Sequence, residues 1–297
     1  MTWPKQGHTL LFLWNESGRS FLDLYAYDPA AKKRVRLTNL EGAPDAWTET
    51  GAEKDELRKK YPEPPAGLAG FDVSADGRRA AFSYRGELYR VGTDGTSAPA
   101  RLTRTRAAES SPRLSPSGDA LAFVRDGQVF ILDQTVVGGR LTQVTLIEEG
   151  SLETYAWSPD GAKIAYTVQT GKPRKMPLPN YSGRLVKAAE FDRSVSGDEP
   201  LEHKHFVVDA QGGKPVSLEG DGKVWWNDAP KWSPDSRRLV LSIVHAKFKR
   251  RQILVFDAAT GKSRVVFDET DVKWVENDFA GWSPDSRTVF FTSERDG

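Results

Sequence analysis

The groups in this sequence with chemistry to offer are few, and their spacing limits what they can do. The 297-residue chain has four histidines, His8, His203, His205 and His245, and no cysteine. Disulfides, thiolate catalysis and Cys-ligated zinc are therefore excluded. His203-Lys204-His205 places two imidazoles on one face of a strand, a spacing that suits a pair of metal ligands, but the sequence shows no third ligand. These residues read as exposed positions entering a strand, and no metal site is expected. A hydrolase nucleophile needs G-x-S-x-G, so that the serine can sit on a strained strand-to-helix turn. No serine satisfies it. Tyr181-Ser182-Gly183 and Val195-Ser196-Gly197 keep the second glycine and lack the first. The expectation is a chain with no catalytic residues of its own and no cofactor.

The balance of 42 Lys+Arg against 41 Asp+Glu gives no electrostatic case for nucleic acid or an anionic membrane. No apolar run reaches membrane-spanning length, and the start, Met1-Thr2-Trp3-Pro4-Lys5, lacks a signal-peptide core. A cysteine-free chain fits a cytoplasmic or a periplasmic or secreted compartment equally.

What must position any site is a repeat. Ala156-Trp157-Ser158-Pro159-Asp160-Gly161 has relatives at Asp72–Gly77, Arg113–Gly118, Lys231–Ser236 and Gly281–Ser286, and a weak copy at Trp3–Gly7. The unit is a turn: Ser opens it, Pro presets φ, Asp bonds local backbone, and Gly or Ser closes it. A short alternating apolar run follows each, and then a second strand ending near an Asp, as in Gln252–Asp257. The recurring unit is four antiparallel strands, one blade of a β-propeller. The fold class is therefore all-β, with an incomplete or open ring, because the repeat is cut within a blade at each end.

We read one propeller domain over 1–297: a part-blade at 1–40, a linker at 41–67, and blades at about 68–103, 110–142, 154–218 and 228–267, with a part-blade at 278–297. The N-terminus reads as incomplete. Glu49–Lys60 can form a charged surface helix, stopped by Tyr61-Pro62-Glu63-Pro64-Pro65. The third full blade carries an insert at 169–204, proline-rich at Pro173–Tyr181, which reads as a projecting contact arm unable to join the blade ladder. Trp157, Trp232 and Trp282 recur at one repeat position and read as blade-to-blade packing rather than a ligand cage. Apolar faces around Leu10–Leu13 and Val289–Phe291 are expected to be exposed.

Three stretches carry a more specific resemblance. They are Tyr155–Tyr166 with Met176-Pro177-Leu178-Pro179-Asn180-Tyr181; Ser196-Gly197-Asp198-Glu199-Pro200 leading into Phe206-Val207-Val208-Asp209; and Trp274-Val275-Glu276 with Thr292-Ser293-Glu294-Arg295-Asp296-Gly297. Together they make the chain similar to the N-terminal β-propeller of the prolyl oligopeptidase family of serine peptidases, in its dipeptidyl peptidase IV-like branch. Glu199 stands where that family usually has Asn.

The resemblance implies a peptidase built from this propeller and a C-terminal α/β-hydrolase domain carrying the Ser-Asp-His triad. The propeller would gate access and help bind the substrate's amino terminus, with peptide substrates and a homo-oligomer as its partners. The dipeptidyl branch uses two adjacent glutamates before the middle W-S-P-D-G to pair with the substrate ammonium. Glu148 and Glu149 hold a comparable place before Trp157, in a shorter segment that lacks the preceding W-V and also reads as an inter-blade turn. The alternative reading is a free-standing TolB-type propeller that binds a protein partner.

Overall fold

The computed structural model describes residues 1–5, 7–16, 22–40, 67–135, 139–171, 174–180, 187–192, 198, 201–220, 224–227, 229–245, 248–276 and 279–293. The helix expected at Glu49–Lys60 and the stop at Tyr61–Pro65 lie outside them. Among the described residues the chain forms strands and turns with no α-helix, which is the all-β architecture that the alternating apolar runs demand.

Two compact units divide the chain, Met1–Leu146 with Ala210–Gly212, and Ile147–Asp209 with Gly213–Gly297. In the first unit, β1 (Leu10–Trp14), β2 (Asp23–Asp28) and β3 (Lys33–Arg36) make a three-stranded antiparallel sheet. A four-stranded sheet follows, β4 (Asp72–Val73), β5 (Arg79–Tyr84), β6 (Glu87–Gly92) and β7 (Ala100–Arg101). Another is built from β8 (Glu109–Leu114), β9 (Ala120–Arg125), β10 (Gln128–Asp133) and β11 (Arg140–Gln143).

In the second unit, β12 (Ser151–Trp157), β13 (Lys163–Thr170), β16 (Glu202–Asp209) and β17 (Val216–Ser217) form one sheet, with the hairpin β14 (Lys175–Asn180) and β15 (Lys187–Asp192) inserted between β13 and β16. The next sheet has a first strand broken into β18 (Val224–Asn227) and β19 (Lys231–Trp232), followed by β20 (Arg238–His245), β21 (Arg250–Asp257) and β22 (Ser263–Thr270). The last pair is β23 (Ala280–Trp282) and β24 (Val289–Phe291).

Blade strands are buried on both faces, so alternate residues enter different cores. In β5, Ala80, Phe82 and Tyr84 pack with Leu11, Leu24 and Leu37, whereas Ala81 packs with Leu114, Leu121 and Phe123. In β20, Leu239, Leu241 and Ile243 join Val207 and Leu218, whereas Val240 joins Ile253 and Ala280. A one-residue slip would exchange these sets, so register is strongly specified. A cross-strand aromatic pair recurs at one position: Phe12–Tyr25, Phe82–Tyr89, Phe123–Phe130 and Tyr166–Phe206, with ring centroids 5.1–5.9 Å apart.

The turns are closed by one serine. Ser233 Oγ donates to Asp235 Oδ1 at 2.6 Å and accepts the Arg238 N–H at 3.0 Å, and Ser74, Ser158 and Ser283 repeat the arrangement. The closing residue has positive φ, +73° at Gly161 but +62° at Ser236 and +61° at Ser286. A serine is tolerated there because its hydroxyl bonds the neighbouring blade: Asp160 N–H donates to Ser236 Oγ and Asp235 N–H to Ser286 Oγ, both at 3.0 Å. Trp232 Nε1 donates to the Ala156 carbonyl at 3.4 Å and Trp282 Nε1 to the Lys231 carbonyl at 3.1 Å. Trp232 and Trp282 thus bond blade to blade.

Three expectations need correction. Leu11 is fully buried, because it packs in the core with Leu24, Ala80 and Phe82, and only Phe290 of the second stretch is well exposed, at 49%. The insert is shorter than 169–204, since β13 runs to Thr170 and β16 starts at Glu202. The prolines do enter a ladder, the insert's own: Pro177 stands opposite Glu190 and Pro179 opposite Ala188. Their spacing of two puts both missing N–H groups on the same edge of the strand.

Hydrogen bonding from the Ser233 hydroxyl holds the Asp235 carboxyl below its ordinary value. A carboxylate lowered in this way contributes stability above its unfolded pKa, which is lost as pH falls through the folded pKa. Ser233→Ala is expected to cost about 2 kcal/mol at pH 7, since it orphans the half-buried Arg238 N–H and loses the Asp235 contact. Urea unfolding at pH 7 and pH 3 checks this: the gap from the parent should narrow at pH 3, and equal midpoints at pH 7 would contradict it.

Candidate functional site

Glu148 and Glu149 lie in the segment between β11 and β12, and both side chains are exposed. The turn beyond them is set by Gly150, whose φ is +91° and whose position would bring a Cβ within 2.4 Å of the Gln169 carbonyl oxygen. Only glycine lets the chain pass so close to the end of β13. The pair is therefore carried on a turn with a fixed exit.

His203 and His205 are not exposed strand-entry residues; each is 8% exposed. They face the side of β16 that also carries Val207, which is packed in the core against Leu239 and Leu241. β16 pairs with β13 so that Thr167 stands opposite His205 and Gln169 opposite His203. Thr167 Oγ1 lies 2.9 Å from His205 Nδ1, and Glu153 Oε2 lies 2.8 Å from His203 Nδ1. Glu153 reaches the ring because the β12–β13 register shifts between Leu152 and Thr154, and such bulges re-aim a side chain. Sequence reasoning missed Glu153, since a bulge breaks the alternation by which a strand face is read.

The electrostatics follow from burial. Desolvation, with the charge of His203 adding to it, pulls the His205 imidazole down to about 4, so this ring is neutral at physiological pH. Its bond to His203 holds Glu153 below the ordinary carboxylate value. The two imidazoles open on a pocket of about 210 Å³, lined by Glu202, Lys204 and Ser217 and floored by Leu241, Ile243 and Phe256. Among the described residues, no three His, Cys, Asp or Glu side chains converge to hold a metal ion.

A second polar system, in the first unit, was also missed. Asp23 accepts from Arg36 at 2.5 Å, from Thr38 Oγ1 at 2.6 Å and from the Leu40 N–H at 2.9 Å. Glu87 accepts the Thr105 N–H at 3.1 Å and pairs with Arg101 at 3.5 Å, while Glu109 pairs with Arg125. Burial pushes Glu87 up, opposed by the Thr105 N–H and Arg101. The sequence signal was readable: Arg36-Leu37-Thr38, Arg101-Leu102-Thr103 and Gln143-Val144-Thr145 recur at the blade ends. Each threonine hydroxyl accepts the N–H of Leu24, Leu88 or Val129 at 2.8–3.0 Å. With their charges paired and their oxygens occupied, these acids hold blades together rather than offer a site.

Ser182 and Ser196, the serines nearest to an elbow pattern, lie outside the described residues, as does Glu199. Thr292 and Ser293 are described: the Thr292 carbonyl accepts from the buried Arg251 at 2.7 Å, and Ser293 Oγ donates to Glu269 at 3.0 Å.

Comparison with known proteins decides the family. The sequence model described as "Dipeptidyl peptidase IV (DPP IV) N-terminal region" matches residues 74–297. The chain belongs to this family. The dipeptidyl peptidase IV N-terminal family thus accounts for four of the W-S-P-D-G copies from Arg113 onward and for the insert hairpin. Dipeptidyl-peptidase 5 of Porphyromonas gingivalis is 22% identical over 174 residues, 58% of this chain and 22% of that protein. A protein TolB homolog of Chlorobium luteolum is 28% identical over 171 residues, 51% of this chain and 37% of the relative. The crystal structure of Porphyromonas gingivalis dipeptidyl peptidase 4 shares the fold, with a TM-score of 0.66 at 16% identity, covering 96% of this chain and 42% of that one. The chain therefore spans under half the length of each of these proteins, and its fold is that of a peptidase-associated propeller domain.

Because the folded His205 pKa is depressed, the unfolded state binds more protons between about pH 6.5 and 4. The chain is expected to lose about 3 kcal/mol of stability over that window from this group alone, the stability being present above pH 6.5. His205→Gln should flatten this slope. Urea midpoints measured from pH 7.5 to 4.5 check it, and parallel profiles for variant and parent would refute it.

Proposed function

We propose that this chain is the non-catalytic, substrate-gating and recognition propeller of a serine dipeptidyl or oligopeptidyl peptidase. The family match over residues 74–297 carries the reading. In this reading the chemistry belongs to an α/β-hydrolase domain, and the propeller limits access to short peptides and contributes side chains that hold the substrate's amino terminus. Glu148 and Glu149 are the proposed holders: adjacent exposed carboxylates can share one ammonium donor. The test compares the gene's full reading frame with the 297-residue chain on Ala-Pro and Ala-Ala chromogenic substrates. The full frame should hydrolyse them and be blocked by a serine-directed fluorophosphonate, and the chain alone should not. Turnover by the chain alone that the reagent blocks would overturn the reading.

For the acidic pair, Glu148→Gln with Glu149→Gln in the full-frame enzyme should raise KM at least about tenfold for substrates with a free amino terminus, the cost of one charge-assisted contact. N-acetylated substrates should be unaffected. Equal KM values before and after the change would remove the pair from recognition.

The TolB homolog match supports a second reading, a free-standing propeller that binds a protein partner. A reading frame that stops at Gly297, with no hydrolase sequence beyond it, would favour this reading over the peptidase.

A further inference from the structure

The crevice lined by β16, β17, β20 and β21 brings together two imidazoles that none of the foregoing uses. His203 Nδ1 faces a carboxylate, and a carboxylate only accepts. The proton on His203 therefore sits on Nδ1, and in the neutral ring the lone pair is on Nε2. His205 Nδ1 is engaged by the fully buried Thr167 hydroxyl, which leaves Nε2 as the ring nitrogen open to a ligand. Both rings project from the same face of β16 at i and i+2, and both line the same pocket.

We propose that His203 and His205 form a two-imidazole chelate for a divalent transition-metal cation, bound through Nε2 of each ring. Metal-binding histidines are characteristically held at the other nitrogen by a carboxylate or hydroxyl, which fixes the tautomer and aims the ring, and Glu153 and Thr167 occupy those places. Imidazole nitrogen selects Zn²⁺, Ni²⁺ or Cu²⁺ over Mg²⁺ and Ca²⁺, which need oxygen ligands. The pocket of about 210 Å³ has room for the cation and for waters that complete its coordination, at about 30 Å³ each. Leu241, Ile243 and Phe256 on the floor supply no competing ligand. Among the described residues Lys204 is the one cation in the lining, and it lies 3.7 Å from the Glu202 carboxylate, which offsets its repulsion. With two protein ligands the site is open and exchangeable, unlike a closed four-ligand structural zinc. The sequence shows no third protein ligand and, among the described residues, the structure adds none, so water has to complete the coordination.

The test titrates the 297-residue chain with ZnCl₂ by calorimetry and records the electron paramagnetic resonance spectrum of the chain loaded with one equivalent of Cu²⁺. One Zn²⁺ per chain and hyperfine coupling to two imidazole nitrogens are expected. His203→Gln should abolish stoichiometric binding, Glu153→Gln should weaken it about tenfold through loss of ring orientation, and His245→Gln should leave it unchanged. His205→Gln should match His203→Gln; should it fail to fold, the nitrogen count in the unmutated chain and the His203→Gln titration still decide. No Zn²⁺ binding, binding that survives His203→Gln, or coupling to one nitrogen only would overturn the proposal.

Discussion

Each full blade turns on a single serine hydroxyl. In all four it accepts the N–H five residues on, and in three of them it donates to the aspartate two residues on, Ser115 having Ser117 there instead, so the reversal between the first two strands is closed from within the turn. Those strands are buried on both faces, where an unpaired backbone group would cost several kcal/mol. The same turns also join neighbouring blades, through Ser236 and Ser286 and through the Trp232 and Trp282 indoles. One local device thus fixes both the shape of a blade and its spacing from the next within a unit.

Two-sided burial decides where polar chemistry can survive. Strand middles are mostly Leu, Ile, Val, Phe and Ala, so a polar group buried there needs a partner, as Thr167 and His205 have each other and Ser242 has Arg251, and the buried acids Asp23, Glu87 and Glu109 stand at strand starts. In the first unit these groups are acids paired with arginines and threonines, and the outcome is cohesion. In the second, the longer β13 and β16 carry the ladder outward past Val207, and the added length brings in two histidines with partners on one side only. The difference between a structural cluster and a ligand-ready one is that asymmetry: an acid with its lone pairs filled has nothing left to bind, and a ring bonded at Nδ1 still presents Nε2.

Membership in the dipeptidyl peptidase IV N-terminal family identifies a peptidase-associated propeller domain, and the family is a property of the scaffold. The scaffold alone does not make Glu148 and Glu149 a recognition pair. The role proposed for them rests on sequence position relative to Trp157, and their segment leads into a turn set by glycine geometry at Gly150.

The sequence by itself determined the fold class and the blade turns, because a Ser-Pro-Asp-Gly turn and the alternating run after it are local: each bond closes within about five residues, and the residue types name the partners. The basic-apolar-threonine triplets at Thr38 and Thr103 were equally local and could have been read. What the tertiary structure alone decided was the state of the histidines and the reach of Glu153. Burial of His205 depends on β20 and β21, which come dozens of residues later, and a bulge in β12 aims Glu153 across β13 at His203. Periodicity assigns a residue to a face of its own strand. What covers that face, and which side chain crosses to it, is set by contacts distant in sequence, and these turned two apparent surface histidines into a buried, oriented pair.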